Sequence, residues 1–453
     1  MSRRRSYNFI IITKLVIVCL LLSLNISNAE PLLLIKTKSM PQQRDLQAVL
    51  NFLSNQQSTV INIQRELVSR QAVGPEYGGE GEESKARWVE NWLNARGIPY
   101  ERLDYPDERV PAKVRPNIVA RYPSANATNG KTLWLLSHLD VSAPGPLHLW
   151  DGNPFALRID GDVMYGRGVE DNNQAITASL LLLESLLQSN IQPPQQLGIV
   201  LTSGALTGYQ AGVGHVMAKR PGMFSSNDQI LVMDFGKEEG NLISLGEKGN
   251  IWLKVTVEGK SGHAGTPGKA NNAFAAAAEL AHGLQELQQK FPAQNSLFTP
   301  PHTTFTPTRT EDFSTGINHI PAKFVFYVDA RVLPDYSFDE VQKAIRQLAD
   351  KVEQSDGVQI SIERIESTPP SRTTSDQADV IVALGRAIRN QLGKEPEHTG
   401  TSSVTMASTL RAAGLPVAVW GIQETMHNRP EEQARISAHI NQAKVLANML
   451  FAQ

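Results

Sequence analysis

The chain has 453 residues, 41% of them apolar and 19% charged, with a net charge of −2. That length exceeds one ordinary core and argues for two domains of a soluble globular protein. The near-zero charge offers no electrostatic footprint for a nucleic-acid partner. In chain order, Arg3, Arg4 and Arg5 precede an apolar stretch from Phe9 to Leu24, broken only by polar residues such as Thr13 and Lys14, and then small residues at Ser27 and Ala29. This reads as a secretory signal peptide over residues 1–29, cleaved after Ala29. An uncleaved anchor is the alternative, although the apolar run is short for a span of about 20 residues. The expectation is an exported protein, periplasmic or secreted, with no membrane attachment after cleavage. The single cysteine, Cys19, lies inside this segment. A mature chain then has no disulfide, thiol nucleophile or cysteine metal site, so any metal must be held by His and carboxylates.

Beyond it, Asp45 to Val73 carries helical periodicity, and a second helix fits Ser84 to Ala95, ended by Gly97. Asn117–Arg121 and Thr132–Leu136 read as strands, Ala175–Leu187 as an apolar helix, and Leu197–Leu201 and Gln229–Met233 as strands again. This alternation predicts an α/β domain with a mainly parallel central sheet. The texture changes near Gly249. Strands over Trp252–Glu258, Phe324–Val332 and Val358–Ile365 alternate with helices over Asn272–Gln289 and Phe338–Gln354, which suggests an α+β unit with one sheet face covered by helices. A Pro- and Ser-rich stretch from Thr368 to Ser375 closes it. Helix Gln377–Leu392 and strand Val417–Trp420 read as a return to the first domain. The resulting division is 30–248 and 370–453 for one domain, with 249–369 inserted.

Four places carry chemistry. Leu135-Leu-Ser-His138-Leu-Asp140 delivers a histidine to the end of an apolar strand, where open α/β sheets place ligands, with a carboxylate nearby to fix its tautomer. Alone, such a His-x-Asp is more often a structural pair. Tyr165-Gly-Arg-Gly-Val-Glu-Asp171 turns sharply into a helix, so Asp171 is equally a helix cap. Asp234 ends another apolar strand, and His427 follows a late one. Each of these two also reads as an ordinary loop residue. Taken together, two imidazoles and two carboxylates at strand ends of one domain suit zinc or a similar divalent ion.

These segments, together with Trp150-Asp-Gly-Asn-Pro-Phe, Gly246-Glu-Lys-Gly, Gly262-His-Ala-Gly-Thr-Pro, Asn318-His-Ile-Pro, Asp329-Ala-Arg-Val-Leu-Pro and Met426-His-Asn-Arg-Pro-Glu, resemble the peptidase M20 family. Its members include carboxypeptidases, aminoacylases and succinyl-diaminopimelate or acetylornithine deacylases. The resemblance runs from about Asp45 to the C-terminus. It implies a zinc-exopeptidase-like catalytic domain with an inserted α+β lid and dimerisation domain. It also implies Asp171 bridging two zinc ions, His138 and Asp234 completing the first site, His427 on the second, and Asp140 orienting His138. His263 would be the lid histidine that stabilises an oxyanion. Asn318 and Arg331 would hold a substrate carboxylate. The implied substrate is a small peptide or N-acyl amino acid, and the implied assembly is a homodimer through the inserted domain.

One segment departs from the family pattern. An acidic Asp-Glu-Glu followed closely by Gly is expected where this chain has Thr202-Ser-Gly-Ala-Leu-Thr-Gly208. Aligned on Gly208, Ala205 replaces the glutamate that takes a proton from the attacking water, and Leu206 replaces a ligand of the second ion. A positioned general base contributes about 10²–10⁴-fold. The expectation is therefore one Zn²⁺ at His138, Asp171 and Asp234, with Mn²⁺ or Co²⁺ also acceptable, and a second site weak or empty. Two readings follow: a secreted metallohydrolase with impaired catalysis, or an inactive binding or regulatory protein that retains one metal site. Glu238, Glu239 and Glu424 are the carboxylates near ligands that could replace the missing base.

Overall fold

The computed structural model describes residues 42–127, 130–205, 208–311, 316–424 and 429–452. The expected signal peptide lies outside them. Among the described residues no helix is long and apolar enough to cross a membrane.

Strands β1 (Tyr100–Pro106), β2 (Val114–Tyr122) and β3 (Thr132–His138) are followed by two short ones, β4 (Arg158–Asp160) and β5 (Val163–Tyr165). Next come β6 (Gln196–Thr202), β7 (Gln229–Val232) and β8 (Leu242–Glu247). With β15 (Glu397–Thr401) and β16 (Val417–Val419), all of these but β4 and β5 build an eight-stranded sheet in the order β1-β2-β6-β3-β7-β16-β8-β15. Its centre, β6-β3-β7-β16, is parallel throughout. β1 and β2 add antiparallel at one edge, and β8 meets β16 antiparallel near the other. Every residue of β3 is buried, which is why Leu133-Trp-Leu-Leu reads as an unbroken apolar run: helices or loops cover both faces of a central parallel strand. Helices Gln57–Ser69, Glu83–Asn94, Asn173–Gln188, Asp379–Leu392 and Ile436–Leu450 pack one face around Leu135, Ile199 and Leu231. On the other face, Trp134, Leu136, Val200 and Val232 meet Tyr209, Phe224, Met406 and Leu410.

A second sheet has its own core. Here β9 (Gly249–Glu258), β11 (Thr304–Glu311), β13 (Lys323–Val332) and β14 (Gln359–Thr368) form the antiparallel order β11-β13-β9-β14. Helices Ala273–Glu286 and Phe338–Asp356 cover one face, burying Leu253, Val255, Val328 and Ile345. Phe338–Asp356 begins with a complete capping box, in which Ser337 and Glu340 satisfy each other's backbone N–H, and it ends at Gly357 with φ +64°. A small ladder, β10 (Gly262–His263) with β12 (His319–Ile320), projects from the same unit. β17 (Gln433–Arg435) returns to pair with β5.

The continuous helix expected over Asp45–Val73 is two helices, 42–53 and Gln57–Ser69. No Gly or Pro breaks it. Instead Ser54 Oγ, Asn55 Nδ2 and Gln56 Nε2 donate to the carbonyls of Leu50, Asn51 and Phe52. These short polar chains compete with the backbone for the last turn of the first helix.

The second of these helices is tied to the C-terminal one by a buried histidine. His439 Nδ1 lies 2.7 Å from the Arg435 carbonyl. A carbonyl only accepts, so the ring proton sits on Nδ1 and Nε2 accepts from Gln64 Nε2 at 2.7 Å. Burial favours the neutral ring and lowers its pKa from 6.5 to about 4. The unfolded chain therefore takes up this proton first as pH falls, so the stabilisation is complete above 6.5 and is lost between 6.5 and about 4. Its ceiling is about 3 kcal/mol. The stability difference between the native protein and H439N, read from thermal midpoints, is expected to shrink across that window. A difference independent of pH would contradict the assignment.

Candidate metal centre

The C-terminal ends of β3 and β7 lie side by side in the parallel centre, and each hands over one polar residue, His138 and Asp234. Asp171 arrives from the loop between β5 and helix Asn173–Gln188. That loop turns at Gly168, where φ is +85° and an added Cβ would come within 2.5 Å of Val141, so only glycine fits. His138 Nε2 stands 3.0 Å from Asp171 Oδ1 and 3.4 Å from Asp234 Oδ1. The three potential ligand atoms lie within 4.8 Å of one another. His138 Nδ1 donates to the Asp140 carbonyl at 2.9 Å, which leaves Nε2 as the ligating nitrogen. The Asp140 carboxylate, to which sequence reasoning gave that orienting role, faces Nδ1 at 3.5 Å and also accepts from the Ala205 amide at 3.2 Å.

The electrostatics fit a cation. His138 is 2% exposed. Burial disfavours its charged form, but Asp234, Asp140 and Asp171 outweigh burial and hold it well above the usual histidine range. Asp234 is raised by its own burial, although His138 pulls it the other way. Carboxylates crowded around one imidazole are short of positive charge, and a divalent ion would supply it. One imidazole nitrogen with carboxylate oxygens is a donor set for zinc, manganese or cobalt.

Several residues that the sequence did not single out hold this arrangement. Asn172 Oδ1 accepts from the His138 amide at 3.2 Å, while its Nδ2 donates to the Met233 carbonyl at 2.7 Å. One side chain thus spans all three ligand-bearing segments. Lys85 is fully buried, donates to Asn173 Oδ1 at 2.8 Å, and is lowered by burial to about 8 despite the surrounding Asp140, Glu82, Glu432 and Asp171. The loop after β6 is fixed atom by atom. Ser203 N donates to Asn117 Oδ1 at 3.1 Å, Gly204 N to Glu82 Oε1 at 3.3 Å and Ala205 N to Asp140. Glu82 is in turn gripped by buried Arg115 through Nε at 3.1 Å and through Nη2.

A cavity of about 170 Å³ opens over the cluster, lined by His138, Asp171, Asp234, Ala205, Tyr209, Phe235, Ser403, Val404, Thr405 and Gln423. Its only lining carboxylates among the described residues are Asp171 and Asp234. Glu424 and Glu238 face a different cavity with Glu170, where Arg435 approaches them at 2.9 and 3.4 Å. Glu239 is exposed. His427 and Leu206 lie outside the described residues.

The residues expected to handle substrate sit on the second sheet's unit. His263 and Asn318 are exposed neighbours, with the Asn318 amide 3.2 Å from His263 Nε2, and neither lines the cavity. Arg331 is held by Asp329 through two bonds of 2.6 and 2.8 Å, and its third edge donates to the Ser402 carbonyl at 2.7 Å. It thereby links the end of β13 to the loop that carries Ser403.

Comparison with known proteins fits this geometry. Residues 245–356 match the Peptidase dimerisation domain of the M20 type. An uncharacterized metallohydrolase of Methanocaldococcus jannaschii is 33% identical over 409 residues, covering 86% of this chain and 98% of that one. The chain belongs to the M20 family. A succinyl-diaminopimelate desuccinylase of Alkalilimnicola ehrlichii is similar at 24% identity over 377 residues, 82% of this chain and 92% of that protein. An M20 family metallo-carboxypeptidase of Sulfolobus solfataricus superposes with a TM-score of 0.68 at 18% identity, covering 86% of this chain and 98% of that one. At that identity the likeness speaks for the M20 fold alone.

If the cluster is the metal centre, adding Zn²⁺ or Mn²⁺ raises the thermal midpoint and chelation lowers it. Free ion at 100 times Kd is worth about 2.7 kcal/mol. H138A and D234N are each expected to abolish that response while remaining folded. An undiminished response in H138A would place the metal elsewhere.

Proposed function

We propose that this protein is an exported M20-type metallohydrolase that cleaves an amide bond next to a free carboxylate, in a small peptide or an N-acyl amino acid, with its proton-transfer step impaired. The observation that carries the reading is the pairing of an ordered His138–Asp171–Asp234 cluster with an apolar wall at Ala205 in the same cavity. We take the ion to be one Zn²⁺ on those three residues. When bound, it would polarise the scissile carbonyl and acidify a water.

The chain's own residues then divide the work. His138, fixed in one tautomer, and the two carboxylates hold the ion. We assign the substrate's carboxylate to Asn318 and to Arg331, which must exchange its Asp329 bonds for the substrate, and the oxygen that becomes negative to His263. Asn318 already stands beside His263, which makes the two a unit. We assign the segment 249–369 as the lid and dimerisation unit of a homodimer, in keeping with the family match over 245–356. Among the described residues, no side-chain carboxylate other than Asp171 and Asp234 lines this cavity to accept the water's proton and pass it to the leaving amine. The export reading rests on the N-terminal sequence.

The wall at Ala205 also favours a second reading, an inactive binding or regulatory protein that keeps one metal site. The backbone of Ser203, Gly204 and Ala205 is already held by Asn117, Glu82 and Asp140, so a glutamate placed at 205 would arrive on a fixed frame. Metal content and hydrolysis of a panel of dipeptides and N-acyl amino acids, measured on the native protein and on A205E/L206E, separate the readings. The expected result is one ion per chain and slow turnover for the native protein, against a second ion and a gain of about 10²–10⁴-fold in the variant. A native protein with no turnover and a restored variant supports the binding role. Ordinary M20 turnover by the native protein, with no gain in the variant, contradicts the missing-base account.

A further inference from the structure

Asp171 sits in a stretch, 166–172, that belongs to no strand, so its backbone N–H groups need acceptors outside a ladder. Three of them share one. Gly168 N donates to Glu432 Oε2 at 3.0 Å, and Glu170 N and Asp171 N both donate to Glu432 Oε1 at 3.0 Å. Arg167 Nη1 adds a fourth bond, to Oε2 at 2.6 Å. Glu432 is 0% exposed and Arg167 1%, so the carboxylate's partners are fixed protein groups. An ionised carboxylate has about four acceptor directions, and all four are used. The same segment is stapled from its backbone side, because Gly166 N donates to the Glu432 carbonyl at 3.0 Å and β17 pairs with β5 immediately after it.

We infer that Glu432, charge-balanced by Arg167, is a positioning residue for the metal centre: it fixes the Asp171 backbone so that the Asp171 carboxylate is already aimed at His138 Nε2 before any ion arrives. The inference rests on the reading of Asp171 as a metal ligand. The geometry supports it directly: the bonds end on the Asp171 amide itself and on those of Gly168 and Glu170 before it, so a shift of Glu432 is passed to the ligand. A ligand held this way loses little freedom on binding the ion, which is how residues behind the ligands tune affinity.

A glutamine cannot do the same. One end of its amide carries N–H groups, which would point at two donors that now share an oxygen. The test is the affinity of the full-length chain for Zn²⁺ and Mn²⁺, measured by chelator competition, in the native protein, E432Q and E432D. Circular dichroism confirms that each variant is folded at the temperature used. The expected result is a native protein that binds an ion and a folded E432Q that binds it about 10–100-fold more weakly at unchanged stoichiometry. E432D, which keeps the charge on a shorter stem, falls between. Loss of amide protection at Gly168, Glu170 and Asp171 should accompany the loss of affinity. A folded E432Q or E432D with native affinity overturns the inference, and so does failure of both variants to fold, which makes Glu432 a residue of the fold alone. A native protein that binds no ion sinks the reading of the metal centre instead.

Discussion

Three carboxylates, Asp140, Asp171 and Asp234, face one buried imidazole, and much of the surrounding structure restrains that concentration of like charge. Left to themselves they would repel and draw in water. Their backbones are instead pinned by the parallel sheet, by Asn172 between the segments and by the contacts on the Asp171 loop. Buried like charges at short range are costly in low dielectric. An arrangement that keeps them together without an equal number of cations is built to receive one.

The architecture makes this possible at modest cost in irregular backbone. Two adjacent parallel strands, β3 and β7, end at the same level and set His138 and Asp234 side by side. The third group comes from a loop that needs glycine at 168. Behind these groups lies a layer of buried charge, Lys85, Glu82 and Arg115, whose partners include the loop backbone at Gly204. Removing one member of such a network leaves the others unpaired in a dry place, a penalty of about 3–5 kcal/mol for a buried pair. The backbone of Ser203, Gly204 and Ala205 is thereby held by three partners distant in sequence, Asn117, Glu82 and Asp140.

Much of this was legible in the sequence, for physical reasons. Leu133–Leu136 and Leu180–Leu183 are continuous apolar runs that only a covered strand or a buried helix can hide, and both lie where they were expected. His138, Asp171 and Asp234 stood out because each ends such a run or a glycine turn, and the structure brings them together. β15 was not legible: Glu-His-Thr-Gly-Thr has no strand pattern, and its conformation comes from pairing with β8. The break at Ser54 was hidden because side-chain hydrogen bonds caused it, with no breaker residue to flag it. Asn172, Glu82 and Lys85 were missed for another reason. Their importance comes from partners far away in sequence, such as Gly204 for Glu82, and a lone polar residue just before a helix or in its first turn carries no sign of that.

The most direct test is the structure of the protein crystallised with Zn²⁺, with the ion located by its anomalous scattering. The account predicts an ion bonded at about 2.0–2.2 Å to His138 Nε2 and to oxygens of Asp171 and Asp234, with no carboxylate from any part of the chain within hydrogen-bond reach of its open position on the Ala205 side. Two fully occupied ions, or a glutamate from another loop folded over Ala205 onto the metal's solvent ligand, would contradict it.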